Sequence, residues 1–180
     1  CEIIIHLYKE YGIEQTLQLL DGVFAFVLWD KIKNKFFVAR DTFGVRPLYV
    51  TKLASIGRST ENIYPSISGF SSEIKNIYDT FKFIQKGQLK KIGAKTTYTE
   101  LYPITVEQYP PGNYCILDNT GYILKSKSFS SCNSFINSTL NTSEKAKEVI
   151  RNTLISAVEK RVDNTDREIA CLLSGGLDSS

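Results

Sequence analysis

The sequence predicts a mixed α+β domain, a polar connector and the beginning of an α/β domain. The first 20 residues carry apolar side chains at helical spacing, and the short strands that follow are apolar on both faces. Near the C-terminus a second helical pattern leads through an apolar run into a glycine-rich turn. We expect the first domain at 1–127, the connector at 128–143 and the start of the second domain at 144–180.

Composition excludes several classes of protein. The 180 residues are 42% hydrophobic and 23% charged, which is typical of soluble globular proteins. The sequence contains no run of 18 apolar residues and no basic segment followed by an apolar one. These are the marks of a membrane span and of a secretory signal, so we expect a cytoplasmic protein without membrane contact. The net charge of +3 is weak and forms no basic stripe with aromatic residues, which argues against nucleic acid as a partner.

The cysteines and the histidine do not form a recognisable site. Cys1, Cys115, Cys132 and Cys171 lie far apart with no C-x-x-C pair, and His6 is the single histidine. We therefore expect reduced thiols and no zinc centre.

The elements of the first domain follow in order. A helix over residues 1–20, loosened at Gly12, should pack on a sheet. The predicted strands and short helix are Val23–Trp29, Phe36–Ala39, Pro47–Thr51, Gly69–Ile74 leading into a helix at Lys75–Asp79, and a hairpin of Gly112–Asp118 and Gly121–Lys127 turning at Asn119–Thr120. Because the strands are apolar on both faces, the sheet is expected to be covered on each side by helices or by a second sheet.

A connector rich in serine and asparagine precedes the second domain. The helix after it has Asn141 or Ser143 available as N-cap and one continuous apolar face, formed by Ala146, Val149, Ile150, Thr153, Leu154, Ala157, Val158 and Val162. The run Glu168–Leu173 then predicts a buried strand that leads directly into the turn at 174–180.

The C-terminal turn has the chemistry of a phosphate site. Gly175 and Gly176 allow backbone N–H groups to converge on an anion, and the hydroxyls of Ser174 and Ser179 add donors. Asp178 is a candidate magnesium ligand. No lysine closes the turn, so it is not a P-loop. The alternative is a simple strand-to-helix turn built from small residues.

Residues 173–180, Leu-Ser-Gly-Gly-Leu-Asp-Ser-Ser, resemble the pyrophosphate-binding loop of the ATP pyrophosphatase superfamily, in the form found in glutamine-hydrolysing asparagine synthetases. Upstream blocks resemble, in the same order, the second half of a class II glutamine amidotransferase domain. They are Asp21–Phe26, Ala39–Tyr49, Ser71–Lys75 and Pro110–Gly112.

This resemblance implies an incomplete N-terminal-nucleophile amidase with an αββα sandwich, followed by the first helix and strand of a parallel α/β adenine-nucleotide hydrolase-like domain. It implies an ATP-dependent ligase acting on aspartate, glutamine and ATP with Mg²⁺, and it leaves a homodimer open. The implied ATP-binding residues are Leu173, Ser174, Gly175, Gly176, Asp178 and Ser179, with Asp178 as the metal ligand.

An N-terminal cysteine suggests an amidase nucleophile, but the helical pattern after Cys1 resembles the middle of the amidase domain. We therefore expect the nucleophile upstream of residue 1 and an inactive 180-residue chain. Arg40, Asp41 and Arg46 are either a binding cluster or, as we favour, a loop held by ion pairs and Pro47. Three alternatives stay open: another class II amidotransferase, a β-lactam-synthetase-like ligase, and a degenerate interaction module.

Overall fold

The computed structural model describes residues 2–53, 66–92, 104–130 and 142–177, and side chains are described except at 53, 84–92 and 104. The chain divides into two units, Cys1–Asn133 and Ser134–Ser180. The described part of the first unit contains, in chain order, α1 (Glu2–Leu19), β1 (Ala25–Asp30), β2 (Lys35–Arg40), β3 (Tyr49–Leu53), β4 (Ser66–Ser71), α2 (Ile74–Ile92), β5 (Ile104–Gln108), β6 (Asn113–Asp118) and β7 (Ile123–Ser128).

The seven strands form two antiparallel sheets. Sheet A has the order β1-β2-β6-β7, and sheet B has the order β4-β3-β5. The predicted hairpin is confirmed as β6 and β7, which pair with a register shift between Ile116 and Leu117. Strand β5 is an element that the sequence pattern did not indicate.

Alternation along β2 explains how sheet A separates two cores. Val38 packs into the core between the sheets, with Val50 of sheet B and Leu48, the residue just before β3. Phe37 and Ala39 face the opposite way and pack with residues of α1. Because successive side chains of a strand point to opposite faces, a strand that is apolar at every position needs a cover on both sides. The covers are α1 on one face and sheet B on the other.

The two helices of this unit differ from their predictions in detail. α1 is kinked at Gly12, where φ is 76° and ψ is 173°, which confirms the predicted loosening. α2 extends over 19 residues rather than the five expected at Lys75–Asp79. Its Ile77 is buried, and the helix packs on β4. With α1 on sheet A and α2 on sheet B, the layers follow an α-β-β-α order.

The second unit contains one helix among its described residues, α3 (Ser143–Asp163), as predicted. Its N-cap is Thr142, not Asn141 or Ser143: Thr142 has extended backbone angles, and its side-chain oxygen accepts a hydrogen bond from the backbone N–H of Lys145. The predicted connector lies mostly outside the described residues, since 131–141 are not described.

The predicted buried strand at Glu168–Leu173 is wrong for this structure. The segment has no regular secondary structure, and its side chains are exposed. A strand of a parallel sheet obtains its hydrogen bonds and its cover from neighbouring strands and helices. Residues 142–177 provide none of those strands, so the apolar pattern is present without the pairing that would make it a strand.

Candidate functional site

The turn around Gly175 and Gly176 in the second unit is exposed to solvent over its described residues. Leu173 is 75% exposed and Leu177 is 95% exposed, with bends at Gly175 and Gly176 between them. Asp178 and Ser179, together with Ser180, lie outside the described residues. The structure therefore places Leu173, Ser174, Gly175 and Gly176 in one open turn and does not test the rest of the predicted site.

Gly175 supplies the backbone conformation that the turn requires. Its φ is 74°, in the left-handed region that side-chain-bearing residues rarely adopt, and an added Cβ would meet no atom within 4 Å. The need for glycine here is therefore conformational rather than steric. Gly176 does not have a positive φ, so of the two glycines that were expected to use this freedom, Gly175 is the one that does.

The helix before this turn presents an apolar face to solvent. None of its residues is buried, and the exposed set includes Val149, Ile150, Leu154, Ile155, Val158 and Val162. Except for Ile155, these are positions at which the sequence predicted a packing face. An apolar face of this length is typical of a helix that packs on a sheet.

The second candidate cluster follows β2, where Arg40 and Asp41 are both buried. The guanidinium of Arg40 donates to the backbone carbonyls of Arg46 at 2.8 Å, Gly44 at 2.6 Å and Tyr109 at 2.6 Å. Arg40 thus ties the loop after β2 to the end of β5.

Asp41 holds the same loop from the inside. Its carboxylate accepts hydrogen bonds from the backbone N–H groups of Phe24, Phe43, Val45 and Arg46, at 2.9–3.3 Å. Burial by itself raises the pKa of Asp41, but these backbone donors outweigh it, so the pKa lies below the ordinary value of 3.8. The loop is held by hydrogen bonds to backbone groups and not by the ion pairs that we expected. Both buried charges are therefore engaged in holding the loop.

Two clusters that join α1 to sheet A were not visible in the sequence. The Tyr8 hydroxyl donates to Asp30 at 2.6 Å and accepts from Lys33 at 3.1 Å. Beyond the kink of α1, Glu14 accepts hydrogen bonds from Tyr114 and Lys125, which lower the pKa of Glu14 to about 2. The partners are 22 to 111 residues apart, so no local pattern indicates them.

The described cysteines do not form a nucleophilic site. Cys115 is buried between the sheets beside Tyr109, and burial raises the pKa of its thiol. Cys171 is exposed in the second unit. Cys1 lies outside the described residues. His6 is on the exposed surface of α1, with Nε2 3.9 Å from a carboxylate oxygen of Glu2.

Two known protein families match successive parts of the chain. The pattern of the glutamine amidotransferase domain family matches residues 1–129. The chain belongs to the glutamine amidotransferase family. The asparagine synthase family matches residues 149–180, so the two matches follow each other in the order that the motifs predicted.

The relatives of this amidotransferase chain agree with the resemblance. It is 36% identical to an asparagine synthetase [glutamine-hydrolyzing] of Cricetulus griseus, and 37% identical to those of Gallus gallus and Homo sapiens. Each comparison covers 99% of the chain and 30% of the relative. The chain therefore spans about a third of the length of the curated relatives it matches.

No group of three or more His, Cys, Asp or Glu residues is placed to hold a metal ion within the described ranges. No helix in the described part of the chain is both long and apolar enough to cross a membrane.

Proposed function

We propose that this chain is part of a glutamine-hydrolysing asparagine synthetase. The whole enzyme converts aspartate, glutamine and ATP to asparagine, glutamate, AMP and pyrophosphate through a β-aspartyl-AMP intermediate. The observation that supports this most is the succession of two families on one chain, an amidotransferase at 1–129 and an asparagine synthase at 149–180. Other amidotransferases that lack a nucleotide loop after the linker do not explain the second match.

The C-terminal turn is the part of the chain that we assign to the nucleotide. A carboxylate is a poor electrophile until one of its oxygens leaves with a phosphate, and the pyrophosphate released in that step needs hydrogen-bond donors. The hydroxyls of Ser174 and Ser179 and the backbone around Gly175 and Gly176 supply such donors, and the backbone of Leu173 contacts the nucleotide. Support comes from the open turn and from the left-handed φ of Gly175.

Asp178 is assigned to a magnesium ion on the phosphates. A carboxylate oxygen is a preferred ligand of Mg²⁺, and the ion neutralises phosphate charge when it is bound. The residues before it fit this assignment because no described carboxylate side chain lies within 173–177 to repel the phosphates.

The domain organisation that goes with this function is 1–127 for the amidotransferase part, 128–143 for the connector and 144–180 for the start of an adenine-nucleotide hydrolase-like domain. The amidase nucleophile lies upstream of residue 1 in this proposal, and Cys1 is not that nucleophile. The 180-residue chain by itself is then inactive. A cytoplasmic location and a homodimer belong to the same proposal.

Product analysis of the full-length protein of this gene tests the proposal. With aspartate, glutamine, ATP and Mg²⁺, we expect asparagine, glutamate, AMP and pyrophosphate in equal amounts. Formation of ADP and phosphate, or a requirement for a carboxylate other than aspartate as in a β-lactam-forming ligase, would contradict it. A full-length protein that consumes neither glutamine nor ATP would support the degenerate interaction module instead.

A further inference from the structure

Helix α2 carries five lysines, one aspartate and no arginine. Four of the lysines, Lys75, Lys82, Lys86 and Lys90, follow each other at intervals of seven, four and four residues, so these positions share one face of a helix. We call them the lysine row. The backbone of α2 is described to Ile92, so the row runs along most of the length of the helix.

The lysine row faces away from the sheet on which α2 packs. Ile77 is buried, and the geometry of an α-helix puts it about 180° around the axis from the middle of the row. Lys75 and Lys82 are exposed, and neither forms an ion pair among the described contacts. The described part of the row is therefore positive charge in solvent that does not hold the helix on β4.

Two exposed aromatic side chains flank the row. Phe83 is 80% exposed and Tyr78 is 55% exposed, and helical geometry puts them on opposite sides of the row. The sequence did not indicate this arrangement, because it exists only once the segment is wound into a helix. Aromatic side chains are enriched at protein interfaces, whereas a helix face that is merely solvated has no use for large exposed rings.

Asp79 interrupts the row with a negative charge. It is exposed, four residues after Lys75 and three before Lys82, and within the described contacts it pairs with neither. A uniformly anionic partner, such as a lipid bilayer or a nucleic acid, would be repelled at this point. A polypeptide can place a basic residue opposite it. The pattern of charge therefore favours a protein as the partner.

The spacing of the row favours a helical segment of that protein over an extended one. A rise of 1.5 Å per residue puts successive lysine positions about 10.5, 6 and 6 Å apart along the axis of α2. Carboxylates at intervals of seven and four residues along a second helix reproduce these distances. Residues on one face of a strand repeat about every 6.7 Å and miss the longer interval.

We propose that the lysine row is a docking surface for an acidic helix of a partner protein. That helix lies along α2, with carboxylates opposite the four lysines, a basic residue opposite Asp79, and apolar side chains against Tyr78 and Phe83. Each exposed ion pair contributes little, so the affinity comes from the whole row and falls as salt is added. The inference goes beyond the proposed function and does not depend on it, because no catalytic group takes part.

Binding of labelled peptides to the full-length protein of this gene, followed by fluorescence anisotropy, tests the inference. The matched peptide is an alanine-rich helix with four glutamates at the spacing of the row and one lysine opposite Asp79. The control peptide has the same composition in scrambled order. We expect the matched peptide to bind at least about ten-fold more tightly than the control, and to lose affinity as salt is added. Equal binding of the two peptides, or no binding of either, would overturn the inference.

Variants of the row separate recognition of a charge pattern from simple attraction to negative charge. Lys82→Glu and Asp79→Lys should each weaken binding of the matched peptide by about five-fold or more, because each opposes like charges across the interface. Lys127→Glu, the same reversal on the exposed β7, should leave it unchanged. Simple attraction to negative charge predicts that Asp79→Lys binds more tightly, and that result would contradict the proposal. Melting curves of the variants check that each remains folded.

Two further probes test the other anionic surfaces. They are vesicles of phosphatidylserine and phosphatidylcholine, and single-stranded poly-uridine. We expect both to bind more weakly than the matched peptide. If either bound more tightly, and more tightly still in Asp79→Lys, the row would be a membrane or RNA surface and the proposal would be wrong. Peptide binding by a protein without synthetase activity would count against the proposed function and not against the docking surface.

Discussion

Replacing Asp41 by alanine tests whether the loop after β2 is held by a buried carboxylate. The substitution leaves four backbone N–H groups without their acceptor. Phe43 and Val45 are exposed, so water can satisfy their N–H groups, whereas Phe24 is half-buried. Each unsatisfied buried donor costs about 1–3 kcal/mol, and loss of the charged acceptor adds to it, so we expect Asp41→Ala to lower the free energy of unfolding by about 3 kcal/mol.

Asp118→Ala is the matched control. Asp118 also accepts backbone N–H bonds, from Thr120 and Tyr122, but in an exposed turn where water replaces the lost acceptor. We expect a loss of about 1 kcal/mol there. Urea unfolding followed by the fluorescence of Trp29, the single tryptophan of the chain, reports on this unit. If Asp41→Ala cost no more than Asp118→Ala, the buried carboxylate would not be what holds the loop.

The pH dependence of the same variant gives an independent check. The pKa of Asp41 is lowered in the folded chain, so its contribution to stability is present above the ordinary carboxyl value of 3.8 and is lost as the pH falls through the lowered pKa. The difference between the native chain and Asp41→Ala should therefore shrink as the pH falls below about 4. A difference that stays constant down to pH 2 would contradict the role of the ionised form.

Three further predictions concern other parts of the first unit. Because hydrogen bonds lower the pKa of Glu14 from 4.5 to about 2, thermal melts should show the native chain losing stability across that interval more steeply than Glu14→Gln, and parallel curves would refute this. Gly121→Ala and Gly12→Ala both place a side chain at a positive φ, but the added Cβ would lie 2.0 Å from a backbone oxygen at Gly121 and would meet nothing at Gly12. In urea unfolding, Gly121→Ala should therefore lower the free energy of unfolding by at least about 2 kcal/mol more than Gly12→Ala. Iodoacetamide followed by mass spectrometry should label Cys171 rapidly and Cys115 only on unfolding, because Cys115 is buried with a raised pKa; equal rates would contradict its burial.

The sandwich of the first unit could be predicted because several of its strands are visible as short runs of apolar residues in the sequence. Phe36–Ala39 is apolar at every position, and that alone requires covers on both faces. The kink of α1 also has a local cause, Gly12. The extent of α2 and the existence of β5 were missed. β5 reads ITVEQ, which carries a charge and an amide beside its apolar residues, and its pairing with β3 is a long-range contact.

The candidate sites were predictable to different extents. The glycine turn is a contiguous motif, and Gly175 has the left-handed backbone that such a motif requires. Arg40 and Asp41 were correctly expected to hold a loop, but the carbonyl of Tyr109, 69 residues away, cannot be found by inspecting that loop. The strand expected at Glu168–Leu173 failed because a buried strand is a property of a whole sheet, and residues 142–177 contain none of its neighbours.

The most direct test of the central claim is aspartate-dependent exchange of labelled pyrophosphate into ATP by the full-length protein. We expect exchange in the native protein, its loss in Asp178→Ala, and full exchange in Asp166→Ala, which removes an exposed carboxylate from the turn after α3. Glutamine hydrolysis should persist in Asp178→Ala, because that reaction belongs to the amidotransferase part. Exchange that survives Asp178→Ala unchanged, or that does not require aspartate, would contradict the assignment of the C-terminal turn to the phosphates of ATP.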